Sequence, residues 1–241
     1  MNFLRNAMLL LLALSSGALA GPPYVTDDPE PTEFGQFEIY AFADGTFARG
    51  GTAGETGLDI NYGAGPDLQL TLVVPAAYQH AAGEWTTGLG NIEAAAKFRV
   101  LHRDSFGLDV AVFPRVFLPS PDAVGERHAS LLLPVWAEKD WGAWSAFGGG
   151  GCVLNPGGTS RDFCLAGFAV TRQVLPDLQL GAEIQHQTAD TVGGRATTGL
   201  GAGFRYDASA TYHLLGSFGP GLQNALETDR FSWYAALLVT F

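Results

Sequence analysis

Residues 229–241 read DRFSWYAALLVTF, and this stretch decides the class of fold. Counted back in twos from the end, one set of positions is apolar throughout: Phe231, Trp233, Ala235, Leu237, Val239 and Phe241. The intervening set is mixed: Ser232, Tyr234, Ala236, Leu238 and Thr240. Because successive side chains of a strand point to opposite sides of a sheet, this alternation predicts a strand with two different surroundings. In a soluble sheet the apolar side would cover a core. In an outer-membrane barrel it would face lipid, and the mixed side would face the lumen.

The other end of the chain has the parts of a secretory signal peptide. Arg5 precedes an apolar run over residues 8–14, and small residues end in Ala18-Leu19-Ala20. This order predicts a signal peptide over residues 1–20 that is cleaved after Ala20. The apolar run is much shorter than the roughly 20 residues that a membrane-spanning helix needs. We therefore expect an exported protein.

Composition helps to decide whether the last strand belongs to a soluble sheet or to an outer-membrane barrel. Hydrophobic residues make up 47% of the chain and charged residues 15%, yet no apolar run of helix-spanning length follows Ala20. Helices and closed barrels are the structures that satisfy every backbone polar group in lipid, so such a chain points to a barrel. The formal net charge is −11 and becomes −12 once Arg5 leaves with the signal peptide, which argues against nucleic acid as a partner.

Residues 35–241 divide into about twelve alternating segments separated by turn residues, and these predicted strands include residues 56–63, 88–101 and 106–118. We predict an all-β fold: a transmembrane, antiparallel, up-and-down β-barrel of about 12 strands, with the N- and C-termini on the periplasmic side. The even-numbered connections are short, as at residues 64–66 and 175–176, whereas the odd-numbered ones are longer. Periplasmic turns and external loops differ in this way. Aromatic residues near strand ends, such as Trp85 and Trp141, are typical of the two interfacial girdles.

Residues 21–34 form an acidic, proline-rich leader between the signal peptide and the barrel. Proline donates no hydrogen bond to a ladder, so the leader cannot be a central strand. Three roles stay open: a lead-in to the first strand, which we favour, a periplasmic plug that enters the lumen, and an acidic cation site.

The alternation also predicts which side chains face the lumen. Charged groups on the lipid face cost about 2–4 kcal/mol near the midplane, so they should point inward. The polar residues predicted to line the lumen are Glu38, Tyr40, Asp59, Asn61, Glu93, Lys97, Arg99, Asp109, Arg115, Glu183, Gln185 and Arg205. They fit either a set of ion pairs that fills a narrow barrel or a polar channel that selects solutes. Phe42, Phe113 and Phe117 also point inward, which favours an aromatic or hydrophobic solute. The direction of Glu138 and Arg172 is ambiguous.

Signatures of catalysis and metal binding are weak. The five histidines show no HExxH spacing, so we expect no metal site, no cofactor and no catalytic residue. His128 and Ser130 would lie on one strand face, as a lipid-acting barrel enzyme requires, but the surrounding residues do not fit such an enzyme. Cys152 and Cys164 are about equally far from the middle of a predicted hairpin. They form either a disulfide or a pair of small apolar fillers.

Several phrases of the sequence resemble one known family. They are the leader GPPYVTDDPEP at residues 21–31, Glu38-Ile39-Tyr40, Ile60-Asn61-Tyr62-Gly63, Leu133-Pro134-Val135-Trp136, Lys139-Asp140-Trp141-Gly142, Gly148-Gly149-Gly150-Gly151, Asn155-Pro156-Gly157 and His213-Leu214-Leu215. Together they resemble the outer-membrane family labelled MetA-pathway of phenol degradation. The resemblance covers most of the mature chain and implies a transporter-like or porin-like barrel, loosely associated with uptake of aromatic compounds. The final Phe241 also resembles the signal that the barrel assembly machinery reads in outer-membrane barrels.

The function expected from these observations is a passive channel or facilitator for small solutes in the outer membrane of a Gram-negative cell. The expected partners are outer-membrane lipids, the assembly machinery and a small-molecule solute whose identity the sequence does not reveal. The alternative is a closed structural or partner-binding barrel without transport. A lipid-acting outer-membrane enzyme is the third hypothesis.

Overall fold

The chain folds into a closed antiparallel β-barrel. The computed structural model describes residues 23–120, 122, 124 and 127–241, so the predicted signal peptide lies outside the described residues. The elements are β1 Phe37–Ala48, β2 Gly51–Gly65, β3 Leu68–Ala81, β4 Glu84–Leu89, β5 Ile92–Leu101, α1 Arg103–Phe106, β6 Asp109–Val112, β7 Arg115–Leu118, β8 Ser130–Trp141, β9 Trp144–Leu154, β10 Phe163–Leu175, β11 Leu178–Gln187, β12 Thr197–Asp207, β13 Tyr212–Gln223 and β14 Phe231–Thr240. In the part of the chain that the structure covers, no helix is long and apolar enough to cross a membrane.

Fourteen strand segments occupy twelve positions around the barrel. Both β4 and β5 pair with β3, and both β6 and β7 pair with β8, so each of these two couples forms one interrupted strand. The barrel closes where β1 pairs with β14, from Glu38 opposite Thr240 to Phe47 opposite Phe231. The predicted barrel of about twelve antiparallel strands is confirmed.

Three predicted strands differ from the observed ones. The predicted strand over residues 88–101 is broken between Leu89 and Ile92, and the one over 106–118 is broken at Phe113 and Pro114. Proline has no N–H to donate to a ladder, which accounts for the second break. Residues 103–106 form a short helix, and β2 begins five residues before the predicted start at Thr56.

The side chains alternate between the lumen and the outer surface. In β3, Gln69, Thr71 and Val73 are buried, whereas Leu70 and Leu72 are more than 40% exposed. The same holds for the last strand, where Leu238 is buried and Leu237 is exposed. Large apolar side chains are exposed on every part of the barrel wall: Leu58, Phe98, Val116, Val135, Phe168, Ile184, Leu200 and Leu214. A sheet whose outer surface is continuously apolar is suited to lipid and not to water.

Two rims are distinguished by their connections. The terminal end is the rim where β1 begins and β14 ends, and there Phe37 stacks on Phe241 with ring centroids 5.7 Å apart. The loop end is the opposite rim. Exposed aromatic side chains mark both: Phe106, Trp141, Tyr212 and Phe241 near the terminal end, and Trp85 and Phe231 near the loop end.

Candidate functional site

The candidate functional site is the lumen, which contains part of the protein's own chain. Residues 23–33, called the leader segment below, form no strand and contribute nothing to the barrel wall. The barrel surrounds this segment and buries four of its side chains, which are at most 5% exposed: Tyr24, Thr26, Asp27 and Thr32. The role favoured from the sequence, a simple lead-in to β1, is therefore wrong: the segment lies inside the barrel. Charge and hydrogen bonding from the lumen, which no local pattern reveals, hold it there.

One end of the leader segment is held by Glu183 of β11. The carboxylate accepts hydrogen bonds from the backbone N–H of Val25 at 3.1 Å and of Thr26 at 3.0 Å, and from the Thr26 hydroxyl at 3.0 Å. Hydrogen bonds to an ionised acceptor are the strong ones in proteins, especially away from water. Glu183 was expected to line the lumen, and here it serves as an acceptor for backbone donors that would otherwise be unpaired.

Glycines of the wall give the leader segment room at this end. A Cβ atom on Gly203 of β12 would lie 2.7 Å from the Tyr24 ring, and one on Gly167 of β10 would meet the Thr26 hydroxyl. Tyr24 packs against Phe147 with ring centroids 6.1 Å apart. Side chains at the two glycine positions would therefore displace the segment.

The middle of the leader segment is held by an ion pair. Lys97 Nζ lies 3.0 Å from Asp27 Oδ1 and 3.6 Å from Asp28 Oδ1, and the Lys97 and Asp27 side chains are 5% and 1% exposed. Lys97 also lies over the Phe113 ring, 5.1 Å from its centroid. Breaking a pair buried this deeply leaves an uncompensated charge and costs about 3–5 kcal/mol.

The third anchor is at the terminal end of the lumen. The backbone N–H of Thr32 donates to Gln69 Oε1 at 2.8 Å, and the Thr32 hydroxyl lies 3.1 Å from Glu38 Oε2. Gln69 in turn donates to Asn61 Oδ1 at 2.7 Å. The leader segment thus crosses the lumen from β3 to β11 and is tied to both sides.

A polar cavity of about 70 Å³ remains beside the leader segment. Its lining includes seven of the residues expected in the lumen: Glu38, Tyr40, Asp59, Asn61, Glu93, Lys97 and Arg115. Arg115 donates from Nε and Nη2 to the two oxygens of Glu93, each at 2.7 Å. The cavity is large enough for a few water molecules. Within the described residues, no group of three or more His, Cys, Asp or Glu side chains is arranged to hold a metal ion.

The remaining residues expected in the lumen lie nearer its rims. At the terminal end, Arg99 pairs with Asp67 at 3.1 Å and Arg205 with Asp207 at 2.8 Å. Asp109 is buried there and accepts a hydrogen bond from the Arg103 N–H at 2.8 Å. Gln185 lies over Gly199, where an added Cβ would be 2.6 Å from its Nε2.

Two apolar clusters fill much of the rest of the lumen. The first contains Phe113, Leu132, Trp136, Val153, Phe163 and Leu165, with Phe117 packed against it. The second contains Tyr40, Phe42, Val73, Leu215, Ala236 and Leu238. The structure therefore places Phe42, Phe113 and Phe117 on the inner side. It also resolves the two ambiguous side chains. Glu138 has the same parity as the buried Trp136, faces inward and accepts a hydrogen bond from Ser145. Arg172 faces outward and lies 5.1 Å from the Trp144 ring centroid.

The two cysteines and the histidine–serine pair have different outcomes. Cys152 and Cys164 face each other between β9 and β10 and are joined by a disulfide. His128 and Ser130 do not share a strand face, because β8 begins only at Ser130. His128 is exposed in the preceding loop, so the expected arrangement for a lipid-acting enzyme is absent at these two residues.

Solved structures give the architecture a precedent. A crystal structure of an outer membrane channel from Pseudomonas putida F1 matches with a TM-score of 0.69 at 16% sequence identity, over 89% of this chain and 98% of the other. The chain has the fold of an outer-membrane β-barrel. The translocator domain of the autotransporter NalP from Neisseria meningitidis matches with a TM-score of 0.51 at 12% identity, over 87% of this chain and 89% of that domain. No protein-family model matches, and no curated protein matches. At these sequence identities, the structural similarity establishes the fold alone.

Proposed function

We propose that this protein is an outer-membrane channel for small solutes and that the leader segment closes it in the state described. One observation carries the proposal: the lumen is obstructed by a segment that is not part of the barrel wall. The leader segment gives no strand to the barrel, so it can leave the lumen without breaking a single wall ladder. A barrel that needed only a filled interior could use wall side chains alone.

The location follows from the same fold. An apolar belt between two aromatic rims suits a bilayer, and a signal peptide over residues 1–20 would deliver the chain to the periplasm. The partners are then outer-membrane lipids and the barrel assembly machinery, which would read Phe241. The protein works without catalysis in this proposal.

We propose the class of solute from the side chains that line the lumen and from the family resemblance. The resemblance to the MetA-pathway family implies uptake of aromatic compounds, and two apolar clusters in the lumen are compatible with such solutes. Liposomes containing the folded protein can be tested for swelling with sugars, amino acids and small phenols in turn. Selective entry of phenols supports this finer proposal, whereas equal entry of all three classes means a general porin.

The channel itself is tested by conductance. The mature full chain and a chain starting at Phe34 are inserted into planar bilayers, and folding of both is checked by heat-modifiable migration. We expect rare, brief openings for the full chain and larger, lasting steps for the shortened one. Absence of steps from both folded proteins contradicts the proposal.

The second candidate is a closed structural barrel. Its support is the packing of the lumen, where Leu132, Trp136 and Leu238 are almost completely buried. This candidate predicts that the shortened chain stays silent in bilayers and loses stability, since removal of the leader segment would only expose its anchors.

A further inference from the structure

One side of the lumen carries negative charge and no positive charge. The strands β14, β1, β2 and β3 contain no Lys or Arg. Their inward positions hold four carboxylates, called the acidic wall below: Glu38, Asp44, Glu55 and Asp59. Glu38 and Asp44 are six residues apart on β1, which corresponds to about 20 Å along the strand. The acidic wall therefore runs along most of the lumen and is not confined to one point.

The cations on the neighbouring strands β5 and β7 are already neutralised. Lys97 pairs with Asp27 and Asp28, Arg99 with Asp67, and Arg115 with Glu93. By contrast, no member of the acidic wall forms an ion pair with any residue that the structure describes. The unbalanced charge inside the barrel is thus negative.

The polar cavity lies where the acidic wall meets the leader segment. Six carboxylates and two cations line it, so its formal charge is −4. Glu38 and Asp59 contribute two of these carboxylates without a cationic partner. Charge of one sign inside low-dielectric walls attracts counter-ions strongly.

A second observation is a buried donor at the cavity that lacks an acceptor. Arg115 lines the cavity and is 2% exposed, and its Nη1 has no hydrogen-bond partner among the described residues. Buried N–H groups in native proteins almost always have an acceptor. A small hydrated cation satisfies both demands, because its charge suits the acidic wall and its water supplies an oxygen to Nη1.

We infer that the cavity and the acidic wall bind small hydrated cations and make the passage selective for cations over anions. The selectivity rests on the proposed channel function, whereas the binding can be measured without conduction. Inorganic monovalent cations and small ammonium compounds share the required chemistry. Anions would meet four uncompensated carboxylates along the lumen.

Selectivity is measured as the reversal potential across planar bilayers in a potassium chloride gradient. The proteins are the mature full chain, its Glu183→Gln form with a loosened leader segment, and that form carrying Glu38→Gln and Asp59→Asn. We expect a preference for potassium over chloride of about tenfold, falling severalfold in the last protein. The control pair, Glu84→Gln with Asp104→Asn, removes two exposed carboxylates outside the lumen and should leave the ratio unchanged.

Binding is measured on the folded full chain by thermal unfolding in potassium chloride and in N-methylglucamine chloride of equal ionic strength. N-methylglucamine is too large for a cavity of about 70 Å³. We expect potassium to raise the unfolding temperature by about 3 °C and the effect to vanish with Glu38→Gln and Asp59→Asn. Equal stability in both salts overturns the inference, as does a preference for chloride. Stabilisation by potassium in a protein that never conducts supports the binding site and contradicts only the channel.

Discussion

Thr26 donates to Glu183 twice although the two residues are 157 positions apart: the backbone N–H and the hydroxyl of Thr26 both lie 3.0 Å from Glu183 Oε2. This contact joins the leader segment to the far wall of the barrel. Its strength sets how firmly the lumen is closed, so it is the first place to test the mechanism.

Glu183→Gln should loosen the leader segment. Glutamine keeps one acceptor oxygen, but its NH₂ group would face a backbone N–H, and the charge is lost. We expect a loss of about 2 kcal/mol, which corresponds to about thirtyfold more time open. Open probability in planar bilayers gives the measurement. Glu227→Gln is the matched control, since Glu227 forms an exposed pair with Arg195 at 3.6 Å. Equal open probability in both variants contradicts the role of Glu183.

Asp27→Asn and Lys97→Met should each destabilise the barrel with its leader segment in place. Lys97→Met leaves the buried carboxylate of Asp27 without its cation and should cost about 3 kcal/mol. Asp27→Asn removes the 3.0 Å contact but leaves Asp28 at 3.6 Å from Lys97 Nζ, so it should cost less. The double variant should lose clearly less than the sum of the two, because no buried charge is then left without its partner. Urea unfolding in detergent micelles reports the free energies. Asp67→Asn serves as a control: the Arg99–Asp67 pair is partly exposed at the rim and should contribute at most about 1 kcal/mol. Additive losses would show that Asp27 and Lys97 act independently.

Removal of the disulfide should affect stability and leave transport unchanged. Cys152 and Cys164 close a short hairpin with a sequence separation of 12, and both are exposed on the outer surface. Closure of such a loop is worth about 3 kcal/mol through restriction of the unfolded chain. Cys152→Ser with Cys164→Ser should therefore unfold at lower urea concentration, as should the reduced wild type. Unit conductance should match that of the oxidised protein, and a changed conductance would connect the disulfide to the lumen.

Asp229 should make stability depend on pH. It lies in the connection between β13 and β14, and burial raises the pKa of its carboxyl to about 6 from 3.8. A raised folded-state pKa means that the folded protein favours the protonated acid. The contribution of Asp229 to stability is then complete below about pH 4 and is lost as pH rises through about 6, and it amounts to no more than about 3 kcal/mol. Asp229→Asn should remove this fall and make the variant the more stable protein at pH 8. Urea unfolding at pH 5 and pH 8 measures the difference, and identical pH dependence in both proteins contradicts it.

The alternation of residues determined most of the wall. The two-residue period places Gln69 and Thr71 on the inner face of β3 and Leu70 on the outer face. This assignment holds in any sheet register that keeps the apolar face outward. The closed barrel, the strand number and the inward direction of Glu93, Lys97 and Arg115 could therefore be read from the sequence. The break near Gly90 was missed because an interruption inside a strand depends on the neighbouring strands. The break at Pro114 had a local signal, the missing N–H of proline, which the alternation of side chains does not register.

The contents of the lumen were decided only by the tertiary structure. Nothing local in residues 21–34 shows that Thr26 meets Glu183 or that Asp27 meets Lys97, since these partners come from distant strands that become neighbours only when β1 closes on β14. Whether lumen charges pair with each other or with the leader segment is a question of three-dimensional distance. A two-residue period shows on which face of a strand each side chain lies, but it does not show which groups that side chain contacts.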